Sequence, residues 1–71
     1  MSSINLYKRL GNNIRKQRKL KKITIERLAE LANINECFLG EMERGRKKPS
    51  IDTLIILSNS LNIDVSLLFV Q

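Results

Sequence analysis

Apolar side chains recur along this chain at the three- and four-residue intervals that place them on one face of a helix. Leu6, Leu10 and Ile14 repeat four residues apart, and this spacing predicts a first helix from about Leu6 to Leu20. Arg18 continues the same line, so a charged side chain ends an otherwise apolar stripe. We expect residues 1–5, before this helix, to form a flexible arm.

The segment from Thr24 to Gly45 predicts two short helices joined by a tight turn. Two helices that cross at ~90–120° need a small side chain where their backbones come closest, and Ala29 supplies one. The apolar positions that define the two faces are Leu28, Ala29 and Ala32 in the first helix, Leu39 and Met42 in the second, and Ile34 at the corner.

Capping residues set the predicted ends of the later helices. A side-chain oxygen just before a helix accepts hydrogen bonds from its first backbone N–H groups, and Gly or Pro commonly follows a helix end. Asn33, in the turn of the motif, is expected in the left-handed backbone region, which Asn tolerates better than most residues. The predictions are N-caps at Thr24, Asn35, Ser50 and Asp64, a stop at Gly45 and Pro49, and helices over 36–44, 51–61 and 65–69.

The composition is that of one small helical domain. With 71 residues, 42% hydrophobic and 28% charged content, three Gly and one Pro, the sequence predicts a single all-α domain. The longest apolar runs are four residues, too short for a membrane span or a signal peptide. We therefore expect a cytoplasmic protein that has no membrane partner.

The reactive side chains of the chain argue against catalysis. There is one cysteine, Cys37, and no histidine, so we expect neither an internal disulfide nor a metal site. Glu36 and Glu41 lie on the same helix but do not by themselves form an acid–base pair. We expect a protein that is not an enzyme, that needs no cofactor, and for which no small-molecule ligand is evident.

Positive charge is concentrated in the first third of the chain. The net charge is +6, and residues 1–22 carry eight Lys or Arg and no acid, whereas residues 49–71 carry only Asp52 and Asp64. Such an asymmetric field favours a polyanion on one side of the protein and leaves the opposite side for another contact. The alternative is a basic face that only keeps the protein in solution.

Several residues between Leu10 and Phe69 occur at a characteristic spacing. They are Leu28-Ala29, Ile34, Leu39, the run Met42-Glu43-Arg44-Gly45, and the stretches Pro49-Ser50-Ile51 and Leu57 to Ile63. In these residues the chain resembles the helix-turn-helix regulators of the Cro/C1 type, also called the XRE family. The resemblance implies a compact five-helix, lambda-repressor-like DNA-binding domain over 6–71, with helices 2 and 3 as the motif over 24–45.

The resemblance also implies roles for particular side chains. Helix 3 would read base edges, where a carboxylate can accept a hydrogen bond from cytosine N4 and Phe or Cys can touch a thymine methyl. A partly buried ion pair between Arg18 and Glu43 would clamp helix 1 onto helix 3, unless Arg18 is simply one more solvated cation. The expected base-reading residues are Glu36, Cys37, Phe38 and Glu41, and the expected DNA-backbone contacts are Thr24, Ile25, Arg15, Arg44, Arg46, Lys47 and Lys48.

Some motif positions differ from the residues usual in the family. Ile25 stands where Gln commonly hydrogen-bonds the DNA backbone, and Asn33 stands where Gly is common. Gly40, inside helix 3, costs roughly 1 kcal/mol relative to Ala. Either the backbone at Gly40 passes close to helix 2 or to DNA, or the position is slack.

The C-terminal end has more apolar side chains than a monomer can hide, which predicts a dimer surface at Ile56, Val65, Leu67 and Val70. A slightly apolar monomer is the alternative. The main hypothesis is a small repressor or controller that binds double-stranded DNA as a homodimer on a near-palindromic operator, with its two reading helices ~34 Å apart. The other hypothesis is a protein-interaction module on the same fold, suggested by Ile25, Glu36, Phe38 and Glu41.

Overall fold

The computed structural model describes residues 3–70, with side chains from residue 6 onward, and this part of the chain is helical and contains no strand. The elements in chain order are α1 (Ser3–Leu20), α2 (Ile25–Ala32), α3 (Glu36–Glu43), α4 (Ile51–Leu61) and a 3₁₀ helix (Val65–Leu68). The all-α prediction is confirmed. The prediction of five α-helices is wrong at the last element, which is 3₁₀.

The last element is a single short 3₁₀ helix, as its hydrogen bonds show. The N–H of Leu67 donates to the carbonyl of Asp64 and that of Phe69 to Ser66, both at 3.0 Å, so the hydrogen bonds span three residues rather than four. Segments of three or four residues commonly adopt this tighter geometry. The predicted helix over 65–69 therefore ends one residue earlier, at Leu68.

Helix α1 begins earlier than the apolar spacing predicts. It starts at Ser3, so residues 3–5 of the expected flexible arm are helical, while Met1 and Ser2 lie outside the described residues. Leu6 and Tyr7 pack against the core and hold the first turns in place. Helix α3 ends at Glu43, one residue before the predicted end, and Arg44 is its C-cap.

All four predicted N-caps are present. The Thr24 hydroxyl accepts a hydrogen bond from the N–H of Arg27, and the Ser50 hydroxyl accepts one from the N–H of Thr53. The Asn35 side chain accepts from the N–H groups of Cys37 and Phe38. The Asp64 carboxylate accepts from the N–H of Ser66. The Ser66 hydrogen bonds lower the pKa of the Asp64 carboxyl below its usual range. Asn33 is left-handed at φ 56°, as expected, and so is Asn62 at the end of α4.

One hydrophobic core joins all the elements, and its largest contribution comes from leucines. Helix α1 contacts α3, α4 and the 3₁₀ helix, while α2 packs against both α3 and α4. The buried apolar residues are Leu10, Ile14, Leu28, Ala29, Ala32, Leu39, Met42, Leu54, Leu57, Leu61 and Leu68. The faces predicted for the helices of the motif are the faces that are buried.

Helices α1 and α3 approach each other closely at Gly11. A Cβ atom at this position would lie 2.2 Å from the carbonyl oxygen of Met42 and 2.8 Å from that of Glu43. Because these are backbone atoms, only a residue without a side chain fits there. Gly11 therefore fixes how closely α1 supports the C-terminal end of α3.

None of the helices described is long and apolar enough to cross a membrane. Within residues 3–70 there is also no group of three or more His, Cys, Asp or Glu side chains that could hold a metal ion.

Candidate nucleic-acid interface

Helices α2 and α3 are joined by a turn that two backbone hydrogen bonds hold at the corner. The N–H of Ile34 donates to the carbonyl of Ala29 at 3.0 Å, and that of Asn33 donates to Glu30 at 3.2 Å. Ile34 packs against the core and closes the corner, as predicted. The turn therefore sets the orientation of α3 relative to α2.

Helix α3 is held by one side and exposed on the other. Leu39, Met42 and Glu43 are buried against the rest of the domain. The opposite side, here called the outward face, consists of Glu36, Cys37, Glu41 and Arg44. Of the four predicted base-reading residues, Glu36 and Cys37 are exposed and Glu41 is partly exposed.

Phe38 and Ile25 do not lie on an exposed surface to the extent that the predictions assumed. Both are partly buried and pack against the hydrophobic core. Phe38 lies beside the outward face rather than at its centre, and Ile25, at the start of α2, can offer a phosphate only its backbone N–H. The N–H groups of a first helical turn lack intrahelical partners and suit an anion.

The buried ion pair implied by the family resemblance is present. Arg18 donates from Nε to Oε2 of Glu43 at 2.8 Å and from Nη2 to Oε1 at 3.0 Å. A third donor, Nη1, reaches the carbonyl of Ile23 at 2.9 Å. The two side chains are only 10% and 4% exposed. Arg18 is therefore not a solvated cation but ties α1 to α3 and to the turn before α2.

Exposed cations follow α3 directly. Gly45 takes φ +75°, and Arg46, Lys47 and Lys48, here called the basic loop, are all exposed. The loop starts against α1, because a Cβ at Gly45 would lie 2.7 Å from Cγ of Lys8. Exposed Lys8 thus adds a positive charge beside the basic loop, while Arg15, also exposed, lies further along α1.

The predicted dimer residues divide into two groups. Ile56, Leu67 and Val70 are 42%, 38% and 43% exposed, which is high for aliphatic side chains, whereas Val65 packs partly against the core. Phe69, which was not predicted, is 43% exposed. The five residues together are here called the C-terminal apolar surface.

Asn13 fastens this C-terminal segment to α1. It is buried, and its Nδ2 donates to the carbonyl of Leu68 at 2.9 Å and to that of Val70 at 2.6 Å. Roles for Asn13, Gly11 and Lys8 were not predicted. A signal existed for the first two, since Asn13 interrupts the apolar stripe three residues after Leu10 and Gly11 lies inside a helix; nothing in the local pattern marks Lys8.

Two capped eight-residue helices, joined by a left-handed turn and held by a buried ion pair to a supporting helix, define a helix-turn-helix domain. A family model described as helix-turn-helix (HTH_3) matches residues 14–68, and the chain belongs to this family. The resemblance to Cro/C1-type regulators is confirmed.

Two relatives are named as a repressor and as a control protein. The immunity repressor protein of Bacillus phage phi105 is 40% identical over 57 residues, which are 80% of this chain and 40% of the repressor. The control protein C.SmaI of Serratia marcescens is 34% identical over 56 residues, covering 79% of this chain and 67% of that protein. The chain spans less than half the length of several of the relatives it matches.

A solved structure shows the same fold over nearly its whole length. The restriction-modification controller protein C.AhdI of Aeromonas hydrophila superposes with a TM-score of 0.86 at 28% identity. The match covers 89% of this chain and 96% of the controller protein. The four helices and the final 3₁₀ helix thus form a known regulator architecture.

Proposed function

We propose that this chain is a sequence-specific double-stranded DNA-binding transcriptional regulator, a small repressor or controller that acts as a homodimer on a near-palindromic operator. The observation that carries the proposal is the outward face of α3, a helix surface open to a ligand and followed by the basic loop. An α-helix fits the major groove, and adjacent cations bind the phosphates that border it.

The proposed contacts divide between DNA backbone and bases. Phosphates would be bound by the basic loop, by Arg15 and Lys8 on α1, and by the first N–H groups of α2 around Thr24 and Ile25. Base edges would meet Glu36, Cys37 and Glu41, with Phe38 at the border of the groove. The family match and the names of the repressor and control-protein relatives support a regulatory role for the chain.

Selection of bound duplexes from a random pool tests the proposal. We expect enrichment of one near-palindromic sequence whose half-sites are about one DNA turn, ~34 Å, apart. With ~6–10 phosphates neutralised per dimer, affinity for that sequence should fall by ~10³–10⁵ between 50 and 200 mM salt. An affinity that stays the same over this range of salt concentration would contradict the electrostatic part of the proposal.

A pair of lysine substitutions separates specific phosphate contacts from general charge. Lys47→Ala should lower affinity for every sequence alike. It should also reduce the slope of log affinity against log salt by about one for each half-site bound. Lys16→Ala is the control, since Lys16 is exposed and lies on the side of α1 opposite Arg18 and hence away from α3. Equal effects of the two substitutions would show that the basic loop has no special role.

Failure to enrich any sequence would favour the protein-interaction module. That hypothesis was suggested by Ile25, Glu36, Phe38 and Glu41. Of these, Ile25 and Phe38 pack against the core of this domain and are less available to a partner. The relatives named above come from a bacterium and a bacterial phage. Bacterial DNA, like that of a phage inside its host, lies in the cytoplasm, and the proposal includes action in that compartment.

The homodimer is proposed to form through the C-terminal apolar surface. Leu67→Lys should convert the protein to a monomer in light scattering and weaken operator binding, because a charge would replace a buried contact. Leu20→Lys is the control, since Leu20 is 64% exposed at the end of α1, outside that surface. Unchanged size for Leu67→Lys, or a monomeric wild type, would contradict this part of the proposal.

A further inference from the structure

Gly40 lies in the middle of α3, where a glycine weakens the helix. A Cβ atom there would have as its three nearest neighbours Nη1, Nη2 and Cζ of Arg44, at 3.4, 3.5 and 3.8 Å. The space above Gly40 is therefore occupied by the guanidinium of Arg44, not by helix α2. This observation gives a specific reason for a residue without a side chain at this position.

The same guanidinium is oriented by a carboxylate. Nη2 of Arg44 donates to Oε1 of Glu41 at 3.1 Å, and the Arg44 side chain remains 50% exposed. Arg44 thus runs back along α3 by one turn, and its charge lies on the outward face rather than at the helix end. An arginine has five N–H donors, of which Glu41 engages one and leaves the rest available.

We propose that Arg44 reads a guanine: its guanidinium, placed above Gly40 and oriented by Glu41, donates two hydrogen bonds to O6 and N7 in the major groove. This inference rests on the proposed function and assigns the residue that gives it one element of specificity. The planar, bidentate fit of arginine to guanine is the commonest specific contact to a base. Arg44 then acts as a base reader instead of a phosphate contact. Glu41 becomes a positioning residue in place of the base contact proposed for it above.

The arrangement also removes a difficulty with a carboxylate beside DNA. Glu41 alone would repel the phosphates that border the groove, but its charge is offset by Arg44 at 3.1 Å. A surface pair at this spacing contributes little to stability by itself. Its effect is to hold a flexible arginine near one geometry before DNA arrives, which lowers the cost of ordering it on binding.

The test compares the operator selected by wild-type protein with versions changed at each base pair. Arg44→Lys keeps the charge but loses the bidentate donor, and the preference for guanine at one position of each half-site should fall about tenfold or more. Preferences at other positions should stay. Arg46→Lys is the matched control and should leave every preference unchanged, since a phosphate contact needs only charge.

Two substitutions at Gly40 test the space without touching any charge. The Cβ of Gly40→Ala is in ordinary van der Waals contact with the guanidinium at 3.4 Å, so the guanine preference should persist while Tm rises by about 4–8 °C. Gly40→Leu fills the space and displaces Arg44, so the same preference should be lost. Glu41→Gln should weaken that preference alone, which distinguishes a positioning residue from a second reader.

Three outcomes overturn the inference. Arg44→Lys could leave the guanine preference intact, Arg44→Lys could weaken all sequences equally, or Gly40→Leu could retain the preference in a folded protein. If the wild type enriches no sequence at all, the proposed function fails first and this inference fails with it. Enrichment by the wild type followed by any of the three outcomes refutes only the role of Arg44.

Discussion

The two sides of α3 differ in how strongly the fold constrains them. On the inner side, Gly11 admits no Cβ because of the Met42 carbonyl, and Glu43 is matched by two donors of Arg18. On the outward face, Cys37 and Glu36 are exposed and have no part in the core. A substitution on the inner side changes whether the helix stays in place, whereas one on the outward face changes what the helix can bind.

This difference shows why a common scaffold can serve many targets. The inner side requires particular residues because water does not reach it. A charge or backbone group that lost its partner there would therefore stay unpaired. The outward face places few demands on stability, so its residues can vary with the ligand. Substitutions that should unfold the domain and substitutions that should only redirect it are therefore separable.

The largest effect is expected from Glu43→Ala, which leaves the Arg18 guanidinium buried without its carboxylate. We expect a loss of about 3–5 kcal/mol in the free energy of unfolding, measured by urea denaturation with far-UV circular dichroism. The double variant Arg18→Met with Glu43→Leu should recover much of that loss, because it buries no unpaired charge. A loss below about 1 kcal/mol for Glu43→Ala would be typical of a surface ion pair. It would contradict the claim that the inner side of α3 is more constrained than its outward face.

The same substitution in two helices should have opposite signs. Gly11→Ala forces a Cβ against the backbone of Met42 and Glu43 and should cost about 3 kcal/mol, the upper end of the usual range for overpacking. Gly40→Ala, on the other side of α3, should instead stabilise by up to about 1 kcal/mol. Thermal unfolding of both variants under one buffer condition measures the contrast. Loss of stability in both would show that the outward face is also constrained.

A smaller loss is expected at the buried side chain that fastens the C-terminal segment. Asn13→Ala removes the donor shared by the carbonyls of Leu68 and Val70 and should cost about 1–3 kcal/mol. Relative to the wild type, amide hydrogen exchange in the variant should accelerate more after Asp64 than in α2 and α3. Dimer formation should weaken in parallel, since the C-terminal apolar surface would lose its fixed position. Uniform exchange across the chain would instead indicate a global effect.

Much of the fold could be predicted from the sequence because its signals are local. The caps at Thr24, Asn35 and Ser50 and the left-handed Asn33 each depend on a few neighbouring residues, and all are present as predicted. The 3₁₀ geometry after Asp64 was not predicted, because α and 3₁₀ helices share the same cap and differ only in hydrogen-bond span. Gly11 is recognisable as a glycine inside a helix, but its contact with Met42, 31 residues later in the sequence, could not be predicted from local signals.

The candidate site was less predictable because it depends on side-chain directions. Glu41 and Arg44 were assigned from the resemblance to separate roles, as a base reader and a phosphate contact, yet their side chains meet at 3.1 Å. Phe38 was expected in the groove, but a bulky apolar side chain beside Leu39 is drawn toward the core. The sequence indicates which residues share a helix face, whereas the contacts among them require the fold.

The smallest effect is expected at Lys22, where the backbone is constrained but the side chain is exposed. Four residues between 6 and 70 have positive φ: three are Asn or Gly, and the fourth is Lys22 at φ 60°. A residue with a Cβ is disfavoured there by roughly 1–2 kcal/mol, but glycine loses more backbone freedom on folding. Lys22→Gly should therefore stabilise the domain by only about 0.5–1 kcal/mol.

Lys21→Gly is the matched control for Lys22→Gly, because Lys21 is exposed in the same turn without a positive φ. It removes the same charge, so the two variants should lose equal, small amounts of DNA affinity while their stabilities change in opposite directions, as urea denaturation would measure. Constraint would then act on the Lys22 backbone independently of its side chain, unlike at Gly11, where space is limiting. Lower stability in both variants would contradict this account, because relief of the left-handed conformation would then be smaller than the entropic cost of glycine.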